Sequence, residues 1–205
     1  MRPINEKLAA DLLEAGKCEF LEKGFRGASM RNIAARLSVT TGALYRYYTD
    51  KEALFDALVK TPADTLEERY RTIQREFADR PVQKQLENLP EVSNEGHSWM
   101  THYIYDNFDA FKLIVCCANG TKYEHYLDRL TEIEVNASIT LIERMQAAGL
   151  MPKPIEEELI HIVASGMFSG MFESVRHDMP REKAVVYMDS LREFYTAGWF
   201  RLLGI

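Results

Sequence analysis

Apolar residues recur at intervals of three and four along almost the whole chain, the spacing that puts them on one face of a helix. Sustained apolar–polar alternation is absent, and no Asn-Gly or Asp-Gly hairpin reads between strand-like runs. The pattern predicts a first helix from Asn5 to Lys23, closed by Gly24. A short second helix follows Ser29, with Ile33, Ala34 and Leu37 on its inner face, and Val39 closes a tight turn. Thr40 is the expected N-cap of a third helix from Thr41 to Tyr48, and Asp50 caps a fourth that continues past Pro62 to Phe77. Asp79 to Gly96, with Pro81, Pro90 and Gly96, reads as a loop around a short helix. Helical spacing resumes at His97–Phe108, Ala110–Cys117, Lys122–Ala148, Ile155–Asp178 and Arg181–Leu203. Gly120, Gly149, Pro152, Pro154 and Pro180 supply the breaks. An all-α fold is expected: a small three-helix unit over residues 1–58 and a larger helical bundle over 59–205.

Charge changes this picture by dividing it. The formal net charge of the 205 residues is -6, unlike that of a nucleic-acid binder. Residues 1–60, however, carry ten Lys and Arg against eight Asp and Glu, while the remainder carries fifteen against twenty-three. Between Gly24 and Thr49 stand Arg26, Arg31, Arg36 and Arg46, with no acid among them. A basic segment on an acidic body points to a local anionic partner.

That segment has the order helix, tight turn, helix, and Ser38 to Leu54 reads SVTTGALYRYYTDKEAL. In a helix-turn-helix the second helix enters the DNA major groove while the first crosses the backbone. The residue types fit: Thr41, Gly42 and Ala43 are small enough for close approach, and a helix N-terminus favours phosphate. Tyr45 and Tyr47 can donate hydroxyls to phosphate oxygens, Arg46 can reach a phosphate or a guanine edge, and Lys51 adds a further cation. Thr40, Ser29 and Arg31, at the two helix starts, complete the candidate DNA contacts; Ser29 reads equally as a simple cap. Tyr48 is expected to face the core with Leu37 and Leu54, and Arg36 to be merely solvated or to pair with an acid of the first helix.

The runs FLEKGF, ASMRNIAARLSV, GALYRYY and DKEALF, within Leu12 to Leu58, together resemble the TetR-type transcriptional regulators. Two positions depart from the family pattern: Ser38 stands where a turn Gly is usual, and Tyr47 where His is frequent. The resemblance implies a homodimer whose two heads read a palindromic operator, with half-sites about 34–36 Å apart. It further implies a C-terminal domain holding a small-molecule pocket and a dimer bundle made by the last two helices. Within that bundle Gly166 and Gly170, four apart in GMFSGMF, would let helices approach closely, with Met188, Leu191, Tyr195 and Leu202 on the final helix. The alternative is that both helices fill an intramolecular core.

Pocket candidates come from the aromatic and sulfur-rich stretches: Trp99, Met100, Tyr103, Phe108, Phe111, Cys117, His161 and Met167. Core packing would use the same residue types, so cavity and solid core are not separated by sequence. The expected function is a sequence-specific transcriptional regulator, a repressor released by a small hydrophobic or aromatic effector. Two alternatives remain: a helical enzyme using Cys117 or His161 on a hydrophobic substrate, and a DNA-binding regulator with no effector.

Other chemistry finds little footing. His97 and His102 are five apart, outside the three or four that a helical metal pair needs, and no other two histidines are close. No Ser-His-Asp arrangement, phosphate-cradling glycine loop or calcium loop reads in the chain, so neither catalysis nor a cofactor or metal is expected. Three cysteines, Cys18, Cys116 and Cys117, suit no disulfide framework and fit a reducing cytoplasm. The charged N-terminal stretch does not read as a signal peptide, and Leu159 to Phe172 is too short to span a bilayer.

Overall fold

The computed structural model describes residues 5–150 and 155–204; the breaks expected at Pro152 and Pro154 lie outside them. Among the described residues there are nine α-helices and no strand: α1 Glu6–Gly27, α2 Met30–Arg36, α3 Thr41–Tyr45, α4 Lys51–Ala78, α5 Val82–Asp106, α6 Phe108–Cys117, α7 Tyr126–Ala147, α8 Glu157–Arg176 and α9 Arg181–Leu203. They form two compact units. The first takes the chain through Asp64 together with Asn107–Tyr126, and the second takes Thr65–Asp106 and Leu127 onward. A contiguous boundary at residue 58 cannot express this, because α6 returns to the first unit from the middle of the chain.

In the first unit Asn5 caps α1, its side chain accepting from the Leu8 N–H at 3.2 Å. Gly24 leaves the helical region with φ +66°, so regular winding ends there as expected, although one further helical stretch reaches Gly27. Leu12, Phe20, Ile33, Leu44, Leu54 and Phe55 are fully buried. Phe20 meets Phe55 edge-on at 5.1 Å and Phe25 meets Phe55 at 5.5 Å. Such aromatic pairs add about 0.5–1.5 kcal/mol each beyond their buried area. Gly16 allows α4 to approach: a Cβ there would lie 2.9 Å from Leu54 Cδ2.

In the second unit one apolar cluster gathers Phe77 of α4, Leu141, Ile142 and Met145 of α7, and Ile160 and Ala164 of α8. Val82, Leu86, Leu89 and Val92 pack against it from α5. This corrects the reading of residues 79–96 as a loop. Pro90 lacks one N–H donor and lies inside α5, as Pro62 does inside α4. The apolar stripe at 82, 86, 89 and 92 keeps the helix wound around Pro90 because its burial outweighs the lost bond. The end of α4 is held by side chains: Gln85 Nε2 donates to the carbonyls of Ala78 and Arg80, at 3.0 and 2.7 Å, and Arg144 donates to the same two.

Candidate nucleic-acid interface and apolar cavity

Buried electrostatics set the pose of α2 against α1. Glu19 is 1% exposed and accepts from Ser29 N–H (3.3 Å), Asn32 Nδ2 (3.1 Å) and Arg36 (3.1 Å). Arg36 also donates to Glu22 at 2.7 Å, and that bond holds the Glu22 carboxyl below its ordinary range. Arg36 is therefore committed to α1, the second of its two expected roles, rather than merely solvated. Ser29 sits at the N-cap position of α2 without a side-chain cap bond; its backbone N–H is what Glu19 takes.

The turn is a Schellman closure. Ser38 N–H donates to Ala35 O at 3.1 Å and Val39 N–H to Ala34 O at 3.1 Å, which places Ser38 at the left-handed position with φ +55°. Thr40 then caps α3, its hydroxyl accepting from Ala43 N–H at 3.1 Å. The third helix ends at Tyr45, three residues short of expectation, because Arg46 N–H donates back to Ala43 O and the chain tightens.

Around this start, Thr41 and Ala43 are half-buried while Gly42, Tyr45 and Arg46 are exposed, Tyr45 at 48%. Arg31 is exposed too, and neither Arg31 nor Arg46 makes an ion pair among the described residues. Tyr47 is half-buried, and its hydroxyl accepts from Asn5 N–H at 3.2 Å, leaving its own proton to donate. Lys51 departs from its expected role. Its ammonium donates to the carbonyls of Arg26 (3.3 Å) and Ala28 (3.0 Å) and lies 4.6 Å from the Phe25 ring centre, so it closes the end of α1 with one N–H left over. Tyr48 is half-buried, and burial pushes its hydroxyl pKa up.

The second unit holds a cavity of about 130 Å³ between α4, α5, α7, α8 and α9. Its apolar wall includes Phe77, Met100, Met167, Phe168, Tyr195 and Trp199. Of the eight expected pocket residues, Met100 and Met167 line it. Trp99 and Tyr103 stack on one another at 5.1 Å and are not in the lining, because neighbours on a helix point about 100° apart and Met100 takes the inward direction. His161 lies on the exposed side of α8, next to the buried Ile160. Phe108, Phe111 and Cys117 belong to the first unit, where Phe111 and Cys117 are core residues. Burial pushes the Cys117 thiol up to about 11, the reverse of an activated nucleophile.

Sequence reasoning did not identify the polar residues of the cavity. Glu134 accepts from Tyr70 Oη, from Gln74 Nε2 at 2.7 Å and from Ser138 Oγ at 3.4 Å. Desolvation, with the Glu134 charge second, holds the Tyr70 hydroxyl well above its ordinary pKa. His97 has Nδ1 2.8 Å from Ser93 O, so that nitrogen carries the proton, and burial lowers its pKa. Arg192 completes the polar set. The available signal was the polar pairs four apart, Tyr70 with Gln74 and Glu134 with Ser138, on otherwise apolar faces.

The glycines expected at a dimer contact are filled from within the chain. A Cβ on Gly166 would lie 2.8 Å from Tyr195 Oη, and one on Gly170 3.1 Å from Leu191 Cδ2. Gly166 with Tyr195 and Gly170 with Leu191 thus pack across α8 and α9 inside one chain, and Met188 is buried as well. The exposed apolar side chains on those helices are Leu159, Ile162, Val186, Phe194 and Leu202, with Phe194 at 72%. No described helix is long and apolar enough to cross a membrane, and no group of three metal-ligating side chains occurs among the described residues.

A sequence model of the family described as "Bacterial regulatory proteins, tetR family" matches residues 12–58, the segment that carries this head. The HTH-type transcriptional repressor KstR2 of Mycobacterium tuberculosis is 36% identical over 63 residues, 31% of this chain and 32% of that protein. The chain thus aligns with about a third of the length of the first curated relatives it matches. The HTH-type transcriptional regulator PksA of Bacillus subtilis aligns further, at 26% identity over 89% of this chain and 87% of its own. A TetR-family regulator structure from Bordetella parapertussis shares the fold, with a TM-score of 0.65 at 16% identity over 97% of this chain and 99% of that one. With a left-handed serine at its turn, the head over residues 12–58 is similar to that of the tetR family of bacterial regulatory proteins.

Proposed function

We propose that this protein is a sequence-specific DNA-binding transcriptional repressor that acts as a homodimer on a palindromic operator and is released by a small hydrophobic or aromatic effector. The observation that carries the reading is the exposed, acid-free start of α3. Thr40, Thr41, Gly42 and Ala43 present a capped helix N-terminus, and Tyr45 and Arg46 project from it with no competing carboxylate among the described residues. Arg31, Tyr47 and the spare N–H of Lys51 supply backbone contacts at the rim, which position the head without reading sequence. Ser29 has its backbone N–H held by Glu19, so any contact it adds comes from its hydroxyl.

Leu159, Ile162, Val186, Phe194 and Leu202 are large apolar side chains exposed on α8 and α9, and they support self-association through these two helices. The cavity of the second unit supports effector binding over a solid bundle. The helix common to both units is α4, whose residues on either side of Asp64 belong to different units. An effector that binds the DNA-incompetent arrangement more tightly would shift the population through α4; equal affinity for both arrangements would shift nothing.

The test is selection of bound fragments from random and genomic DNA at near-physiological salt. The expected product is an inverted repeat, lost with the Tyr45→Ala, Arg46→Ala double variant while its circular dichroism and mass in solution stay as in the parent. Affinity should also fall as salt rises, in proportion to the phosphates contacted. Parental affinity in the folded double variant would remove these residues from the interface. A folded dimer that enriches no sequence would count against the operator reading itself.

A further inference from the structure

Arg192 is the least satisfied polar group of the cavity. Its side chain is only 17% exposed, and its Nε is buried without a hydrogen-bond partner among the described residues. The acids nearest to it are on its own helix and face solvent: Asp189 Oδ1 is 3.8 Å from Nε, and Glu193 Oε1 is 3.9 Å from Nη2. Both separations exceed a hydrogen bond. A buried cationic N–H without an acceptor is costly to keep, more so than a neutral one. Every other charged group of the lining is differently placed: Glu134, the cavity's carboxylate, already accepts from Tyr70, Gln74 and Ser138.

This asymmetry decides the sign of the ligand. A cationic effector would have to displace three donors from Glu134 and would face the Arg192 charge. An anionic one would meet a guanidinium with an open donor and leave the Glu134 cluster undisturbed. Size and wall chemistry decide the rest. About 130 Å³ is close to the roughly 150 Å³ of an apolar cavity that admits benzene, and below the 300–1,000 Å³ of drug-sized sites. Phe168, Trp199 and Met167 offer flat and polarizable surface suited to a ring.

We propose that the effector of this cavity is a monocyclic aromatic carboxylate, its ring against Met167, Phe168 and Trp199 and its carboxylate accepting from Arg192. This deepens the effector reading above and rests on it. A carboxylate on guanidinium makes a charge-assisted bond, and a planar fork can hold both oxygens. Arg192 thus selects for charge, while the apolar wall selects for the ring.

The test titrates the full chain by calorimetry with benzoate and phenylacetate, and with their neutral amides. It does so for the parent, Arg192→Gln and Arg192→Lys, with circular dichroism confirming that each folds. Expected is binding of at least one acid, with the matching amide weaker by about ten- to a hundredfold, the range of a charge-assisted hydrogen bond. Arg192→Gln should erase most of that preference, and Arg192→Lys should keep part of it. Equal binding of acid and amide, or an unchanged preference in Arg192→Gln, overturns the assignment while leaving an effector cavity in place. Binding of neither class overturns the assignment and also withdraws the cavity's support for an effector.

Discussion

Ser38 offers a quantitative test of how the head is built. Among the described residues three Schellman closures occur, with Ser38, Gly149 and Asp178 at the left-handed position, at φ +55°, +69° and +50°. Glycine takes that conformation freely, whereas for other L-residues the left-handed region costs about 1–2 kcal/mol. Ser38 is exposed, and its hydroxyl makes no hydrogen bond among the described residues that could offset this. Replacing it with Gly removes the strain but adds unfolded-state entropy worth about 0.4–1 kcal/mol. The net expectation for Ser38→Gly is a gain of about 0.5–1 kcal/mol, or a rise of about 1–4 °C in Tm for a chain of this size. Differential scanning calorimetry with urea melts measures both. Ser38→Val should lose at least about 1 kcal/mol, since a β-branched residue tolerates positive φ least. If Ser38→Gly melts at or below the parent temperature while its circular dichroism is unchanged, the left-handed turn is not strained and the reasoning fails.

Removing the Glu19 carboxylate with Glu19→Ala should cost about 2–3 kcal/mol, because Ser29 N–H and Asn32 are left short of an acceptor in a buried site; thermal melts of the head should show it. At pH 8 iodoacetamide should modify the exposed Cys116 and spare Cys117, as mass spectrometry of the digested protein would report. Because the Cys117 thiol is raised from about 9 to about 11 on folding, its contribution to stability is complete below pH 9 and is lost as pH rises towards 11; Cys117→Ala should flatten that alkaline limb. Ile162→Glu with Phe194→Glu should lower the mass in light scattering from twice 23.6 kDa to that of one chain; an unchanged dimer would move the interface off these side chains of α8 and α9.

Much of the fold follows from local rules that one sequence states openly. The caps at Asn5, Thr40 and Asp50, the break at Gly24 and the span of α9 depend only on nearby residues, and each lies where spacing and capping chemistry put it. The head is legible for the same reason, since its short helices, tight turn and freedom from acids lie within 26 consecutive residues, Gly24 to Thr49. Sequence could not decide whether Pro90 ends a helix, because the answer lies in the burial of Val82, Leu86, Leu89 and Val92 against residues of α7 and α8 far along the chain, Val135 onward. Nor could it say which neighbour of Gly166 and Gly170 fills the space above them; Tyr195 and Leu191 of the same chain do. Whether aromatic and Met residues pack solid or leave room depends on how five helices meet, so the cavity, its saturated Glu134 and its open Arg192 belong to the tertiary structure alone. Periodicity fixes which face of a helix turns inward, but the partner that face meets is set by long-range packing, which no local window of sequence contains.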